Sequence, residues 1–155
     1  MPNPYSHIDL GYLESITDGS QELIKELIVI FIEQIPEFKD GLEEGLSRKD
    51  WTMIASVAHK AKSSVISMGM QDLGNNDLKN LELIAKSLRV EELIDKNDNS
   101  EELQQLQRTI DGYPEERKAW LNNNKSANSV RDIIQRFNQT CDDALHELQD
   151  VIDNY

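Results

Sequence analysis

One cysteine in 155 residues leaves this chain unable to form an internal disulfide, and excludes every metal site that needs more than one thiolate. Aromatic residues are sparse as well, with 3 Phe, 4 Tyr and 2 Trp, and no stretch alternates branched with polar residues. Strands therefore have little to form from. Basic charge is also short. Only 16 Lys and Arg stand against 29 Asp and Glu, a formal net of -13, which argues against nucleic acid or an anionic membrane as partner of the surface taken whole. No apolar run approaches bilayer-spanning length, and "MPNPYSHIDLGY" has no basic segment leading into an apolar one. The chain reads as a cytoplasmic protein, of a size for one domain (residues 1–155) that buries roughly 70% of the surface its unfolded form exposes.

What the chain has in quantity is helix-forming residues at helical spacing, so the expected fold class is all-α. A short first helix is predicted from about Ile8 to Ile16, closed at "TDGS", where Gly19 can take a left-handed cap and Ser20 or Asp18 can open the next. That second helix carries Leu23, Leu27, Phe31, Ile35, Phe38, Leu42 and Leu46 on one stripe. It should run for about 39 Å and bend, without ending, at Pro36. Asp50 opens a third, with Trp51, Ile54, Ala58, Ala61, Val65 and Met68 as its core face and Gly69 as its end. Leu73, Leu78, Leu81, Ile84, Ala85 and Leu88 mark a fourth. A last helix, roughly Ser129 to Ile152, places Cys141 in the core as a small hydrophobe. Between these, residues 97–127 read as a polar insertion of one or two short helices. Leu103, Leu106 and Ile110 share one face, Gly112 stops the first piece, and Pro114 starts another that ends near Trp120.

Within "AHKAKSSVISMG", residues 58–69, His59 shares a helix face with Thr52, Ala55, Lys62, Ser63 and Ile66 and lies more than a quarter-turn from the centre of the apolar stripe. It should be accessible to another molecule. An imidazole keeps one unprotonated nitrogen near neutral pH and can act as a nucleophile. If phosphorylated, it needs nearby cations, and Lys62 at i+3 and Lys60 are placed to supply them. Ser63 is small enough to admit a partner's loop, and its hydroxyl is a candidate to bond the ring or the phosphate. From Arg48 to Ile66, Arg48, Lys49, Lys60 and Lys62 face the single anion Asp50, a local reversal of charge that would draw an acidic partner. "LIVIFI", residues 27–32, is apolar almost all round. Ile28, Val29, Ile30 and Ile32 exceed what one stripe can bury, and Ile28 and Ile32, with Ala55 and Ile66 near His59, are candidates for a docking patch.

The stretch resembles the signature of histidine-containing phosphotransfer (HPt) domains, which it matches at Ala58, His59, Lys62, Ser64 and Gly69. It departs at Ala61, where Leu is usual, and at Ser63, where Gly is usual; both replacements stay small or apolar. The likeness extends in order over about residues 8 to 90. It implies an antiparallel four-helix bundle with a short N-terminal helix, here with a small helical insertion before the last helix. It also implies a phosphorelay role in two-component signalling, with His59 taking a phosphoryl group from the aspartate of one receiver domain and passing it to another. The expected partners are response-regulator receiver domains and a hybrid sensor kinase, and the protein would act as a monomer. No kinase activity of its own and no cofactor are expected, since there is no Gly-rich phosphate loop and Mg2+ would come from the receiver. A helical adaptor that binds signalling domains without accepting phosphate is the alternative. A metal site at Asp142, Asp143 and His146 is a third reading, for which a second carboxylate pair is missing.

Overall fold

The helix boundaries follow from local capping chemistry. The computed structural model describes residues 4–154; the expectation of no leader segment falls in part on residues 1–3, outside that range. Helix α1 spans Gly11–Thr17, starting later than the spacing predicts because the residues before it are bound elsewhere. The backbone N–H groups of Ser6, His7 and Ile8 donate to the Glu147 carboxylate. The Asp9 N–H donates to the Met68 carbonyl at 3.0 Å, while the Asp9 side chain accepts from Gly11 N–H at 2.8 Å. Asp18 and Gly19 both adopt positive φ, 52° and 77°, and Ser20 caps the next helix by accepting from Leu23 N–H.

Helix α2, Gln21–Arg48, runs through Pro36 as one element. Its buried side is Ile24, Ile28, Phe31, Ile35, Phe38, Leu42 and Gly45, whereas Leu23 is 47% exposed and Leu27 and Leu46 are half-buried. Phase explains the difference at its start: counted from Phe31 at about 100° a residue, Ile24 lies within about 20° and Leu23 about 80° away. Helix α3, Trp51–Ser67, is capped by the Asp50 side chain, which accepts from Met53 N–H at 3.0 Å. All six residues of its expected core face are buried. Gly69 follows with φ of 87°, and a side chain there would collide with the backbone of Asp9, so glycine is required on both counts.

The fourth helix departs from the expectation of a regular α-helix. Leu73–Leu78 is π-helical and leads directly into α4, Lys79–Asp95. Leu73 and Leu78 are both buried although five residues apart, a spacing that would set them about 140° apart on an α-helix. Gly74 makes this turn fit, since a methyl there would run into Ile66 and crowd the Lys62 carbonyl of α3.

The expected insertion forms two helices, α5 (Glu101–Asp111) and α6 (Glu115–Asn124), the latter passing Trp120 by a full turn. Ser100 caps α5, and Leu103 is buried beneath it. Helix α7, Ala127–Asn154, closes the molecule. α3 packs between α2 and α4; α7 lies against α2, α4 and the π-helical turn; α5 and α6 rest on α4. The shared core includes Phe31, Ile54, Leu81, Ile84 and Phe137, all at most 2% exposed. Cys141 is fully buried in it, and the loss of water pushes its thiol up to about 12. The fold is all-α. Among the described residues there is no strand and no helix long and apolar enough to cross a membrane.

Candidate functional site

The ring of His59 stands on the outer ridge of α3 with its side chain 67% exposed. Beneath it, from α4, comes Glu82, whose side chain is only 13% exposed. His59 Nδ1 lies 3.2 Å from Glu82 Oε1, the Lys86 ammonium donates to the same oxygen at 3.0 Å, and Lys62 Nζ stands 4.0 Å from Oε2. Two lysines from two helices thus hold one carboxylate in place. An ionised carboxylate only accepts hydrogen bonds, so the imidazole donates from Nδ1, and in the neutral ring the lone pair then lies on Nε2. The geometry produces an exposed histidine oriented through Nδ1, with Nε2 outside that contact and cations within the same cluster.

Not every expected residue falls where its spacing placed it. Lys62 joins the cluster, and Lys60 is exposed beside His59. The Ser63 hydroxyl turns back to the Lys60 carbonyl at 3.4 Å rather than to the ring. The charge reversal is narrower than the count along the chain, because Arg48 pairs with Glu44 of its own helix at 3.3 Å. The docking candidates need the largest correction. Ile28 is 0% exposed and belongs to the core, since it falls on the Phe31 side of α2. Ile32 and Ile66 are half-buried against that core, and Ala55, 9% exposed, forms part of a groove wall beside His59. Among the described residues the large apolar side chains that do face outward are Tyr12, Ile16, Leu23, Val29, Ile30 and, on α4, Ile94.

Several of these gather on one side of the α3 ridge. Tyr12 and Ile16 of α1, Ile30 and Gln34 of α2, and Ser64 and Ser67 of α3 line a depression of about 210 Å³. Ser67 is eight residues beyond His59, about 12 Å along the axis and about 80° round it. On the other side of the ridge, α3, α4 and α5 enclose a groove of about 380 Å³ that includes His59, Lys60, Glu82, Lys86 and Arg89. Arg89 binds Glu102 of α5 through two nitrogens, each at 2.9 Å, and also pairs with Glu92. These bonds raise the guanidinium above its ordinary value, and the guanidinium in turn lowers the Glu102 carboxyl. The sequence alone assigns no role to Glu82, Lys86 or Arg89. The available signal was Glu82 and Lys86 at i,i+4, charged residues set among the apolar positions of the fourth helix.

The carboxylates of the alternative metal reading are engaged with cations and amides. Asp142 pairs with Lys39, and Asp143 accepts from Gln139 and lies 4.0 Å from His7. Among the described residues no group of three or more His, Cys, Asp or Glu is placed to hold a metal ion. Comparison with protein-family models, with curated proteins and with solved structures found no match.

Proposed function

We propose that this protein is a phosphorelay intermediate, taking a phosphoryl group onto His59 from a receiver-domain aspartate and passing it to a second receiver. The observation that carries the reading is the pairing of an exposed His59 with a nearly buried, lysine-held Glu82. Nε2 attacks the phosphorus of the aspartyl phosphate, the new P–N bond forms as the acyl P–O bond breaks, and the carboxylate returns to the receiver. The ring becomes cationic at that moment, and the Glu82 carboxylate, already bonded to Nδ1–H, offsets the charge. Lys62, and Lys60 on the exposed side, face the phosphoryl oxygens as positioning cations. Mg2+ belongs to the receiver, and nothing in the cluster is asked to bind nucleotide.

In this reading α2, α3, α7 and α4 with its π-helical start form an antiparallel four-helix bundle, α1 covers one end, and the receiver sits across the α3 ridge. The exposed Tyr12, Ile16 and Ile30 lie where such a partner would find an apolar footing. The test is a transfer assay with receiver domains prephosphorylated on aspartate, following acid-labile, base-stable label on wild type and on His59→Gln. Label on wild type alone is the expected result. A folded wild type that binds receivers and stays unlabelled with all of them would sink the relay and leave an adaptor.

A further inference from the structure

The groove on the α4 side of His59 is built in part by the insertion, and the reaction at His59 alone does not account for it. Its apolar lining comes from Trp51 and Ala55 of α3 and Leu106 of α5. Its wall contains the reacting ring, and its rim carries Lys60, which is exposed and has no ion-pair partner among the described residues. The two Arg89–Glu102 bonds at 2.9 Å fix α5 in the position that closes the far side. Without α5, Leu106 would be absent and the groove would open to a shelf.

We infer that this groove is a selectivity pocket for the phosphoryl-exchanging protein itself, seating an apolar side chain of the receiver with a carboxylate beside it to meet Lys60. The inference rests on the relay reading above. The occupant follows from continuity with the site. A protein that brings an aspartyl phosphate to Nε2 must stand over His59, and a standard interface of about 800 Å² on each partner has a radius of about 16 Å. A footprint that wide, centred on His59, covers the groove that His59 helps to line. Charge agrees: the rim cation Lys60 stands beside the reacting ring in a molecule of net -13, a favourable place for the receiver's acidic face to point. The insertion then serves to choose among receivers, through Leu106 and the rigid Arg89–Glu102 clasp.

The experiment compares two sources of phosphoryl group on the same protein. Phosphoramidate loses ammonia on giving its phosphoryl group to the imidazole, and needs no docking surface. A prephosphorylated receiver needs one. The readout is the initial rate of labelling by receiver divided by that with phosphoramidate, for wild type, Leu106→Glu and Ser56→Trp. Ser56 lies on the α3 side of the groove and is exposed, so its replacement fills the space without touching the packing of α5. That ratio is expected to fall about tenfold or more in both variants, the size of loss seen when an interface anchor is removed. A wild-type ratio in both variants, with every receiver that labels wild type, would overturn the inference and leave the groove to a second copy or a small ligand. A wild type labelled by phosphoramidate but by no receiver brings down the relay reading itself, and this one with it.

Discussion

Glu82 bonds His59 and Lys86 through one oxygen and faces Lys62 at 4.0 Å through the other, and of these three partners His59 is the nucleophile of the relay reading. Replacing Glu82 with Gln keeps the size but removes the charge that, in the relay reading, offsets a phosphorylated ring, and leaves Lys86 and Lys62 without their common anion. Glu82→Gln is expected to slow transfer to His59 by about tenfold to a hundredfold, as losing a partner that orients an imidazole does at metal sites. Nitrogen NMR of the ring should show the Nδ1–H tautomer losing population in the same variant, which a general loss of stability would not produce. An unchanged rate and tautomer would remove Glu82 from the mechanism. Cys141 makes a contrasting case, since burial holds its thiol neutral up to about 12. It should therefore resist DTNB in the folded protein and react only as urea unfolds it; rapid labelling of the native state would contradict its core position. Both residues bear on what spacing can reveal. His59 and Lys62 are three apart on one helix, so a wheel finds them. Glu82 is twenty-three residues from His59 and meets it across a helix pair, a contact that no single-helix period encodes.

That contact depends on the rotational phase of α4, and the phase depends on the π-helical turn before it. A regular helix through Leu73–Leu78 would turn every later side chain, Glu82 included, relative to α3. Gly74 lets the turn press against Ile66 and the Lys62 carbonyl. Gly74→Ala should therefore cost about 1–3 kcal/mol, the range for overpacking a close contact, read as a lower urea midpoint. It should also slow transfer, because α4 must shift at the level of Glu82. The apolar periodicity located the helices well wherever one stripe dominates, as in α3, where all six expected core positions are buried. It misjudged the start of α2 because "LIKELIVIF" offers two stripes of equal spacing, and it missed the π turn because a five-residue step between leucines mimics a gap. The attachment of α5 makes a separate prediction. Arg89 lowers the Glu102 carboxyl below its ordinary 4.5, so the folded state takes up that proton less readily than the unfolded one. The anchor is complete above about 4.5 and weakens as pH falls through the lowered value, so amide exchange in α5 should accelerate in that acid range before the rest of the molecule opens. Glu102→Gln should show the faster exchange already at neutral pH.

Charge acts on this molecule at two ranges with opposite sign. The whole chain carries -13, while the surface around His59 carries Lys60, Lys62 and Lys86 against Glu82. At about 0.01 M salt the screening length is about 30 Å, so an approaching acidic receiver feels the entire negative molecule and is slowed. Near 0.15 M it shrinks to about 8 Å, and only the lysines beside His59 remain in view. At about 1 M, with about 3 Å, even these are screened. The association rate of an acidic receiver should therefore rise between the first two conditions and fall at the third, a maximum that stopped-flow fluorescence can follow. Lys60→Glu should flatten the maximum, because it removes the cation least occupied by other charges. A rate that falls steadily from the lowest salt would mean that the lysine cluster outweighs the net charge at every distance. In that case the acidic remainder of the surface has no part in excluding wrong partners, and selectivity must come wholly from contact geometry on either side of the α3 ridge.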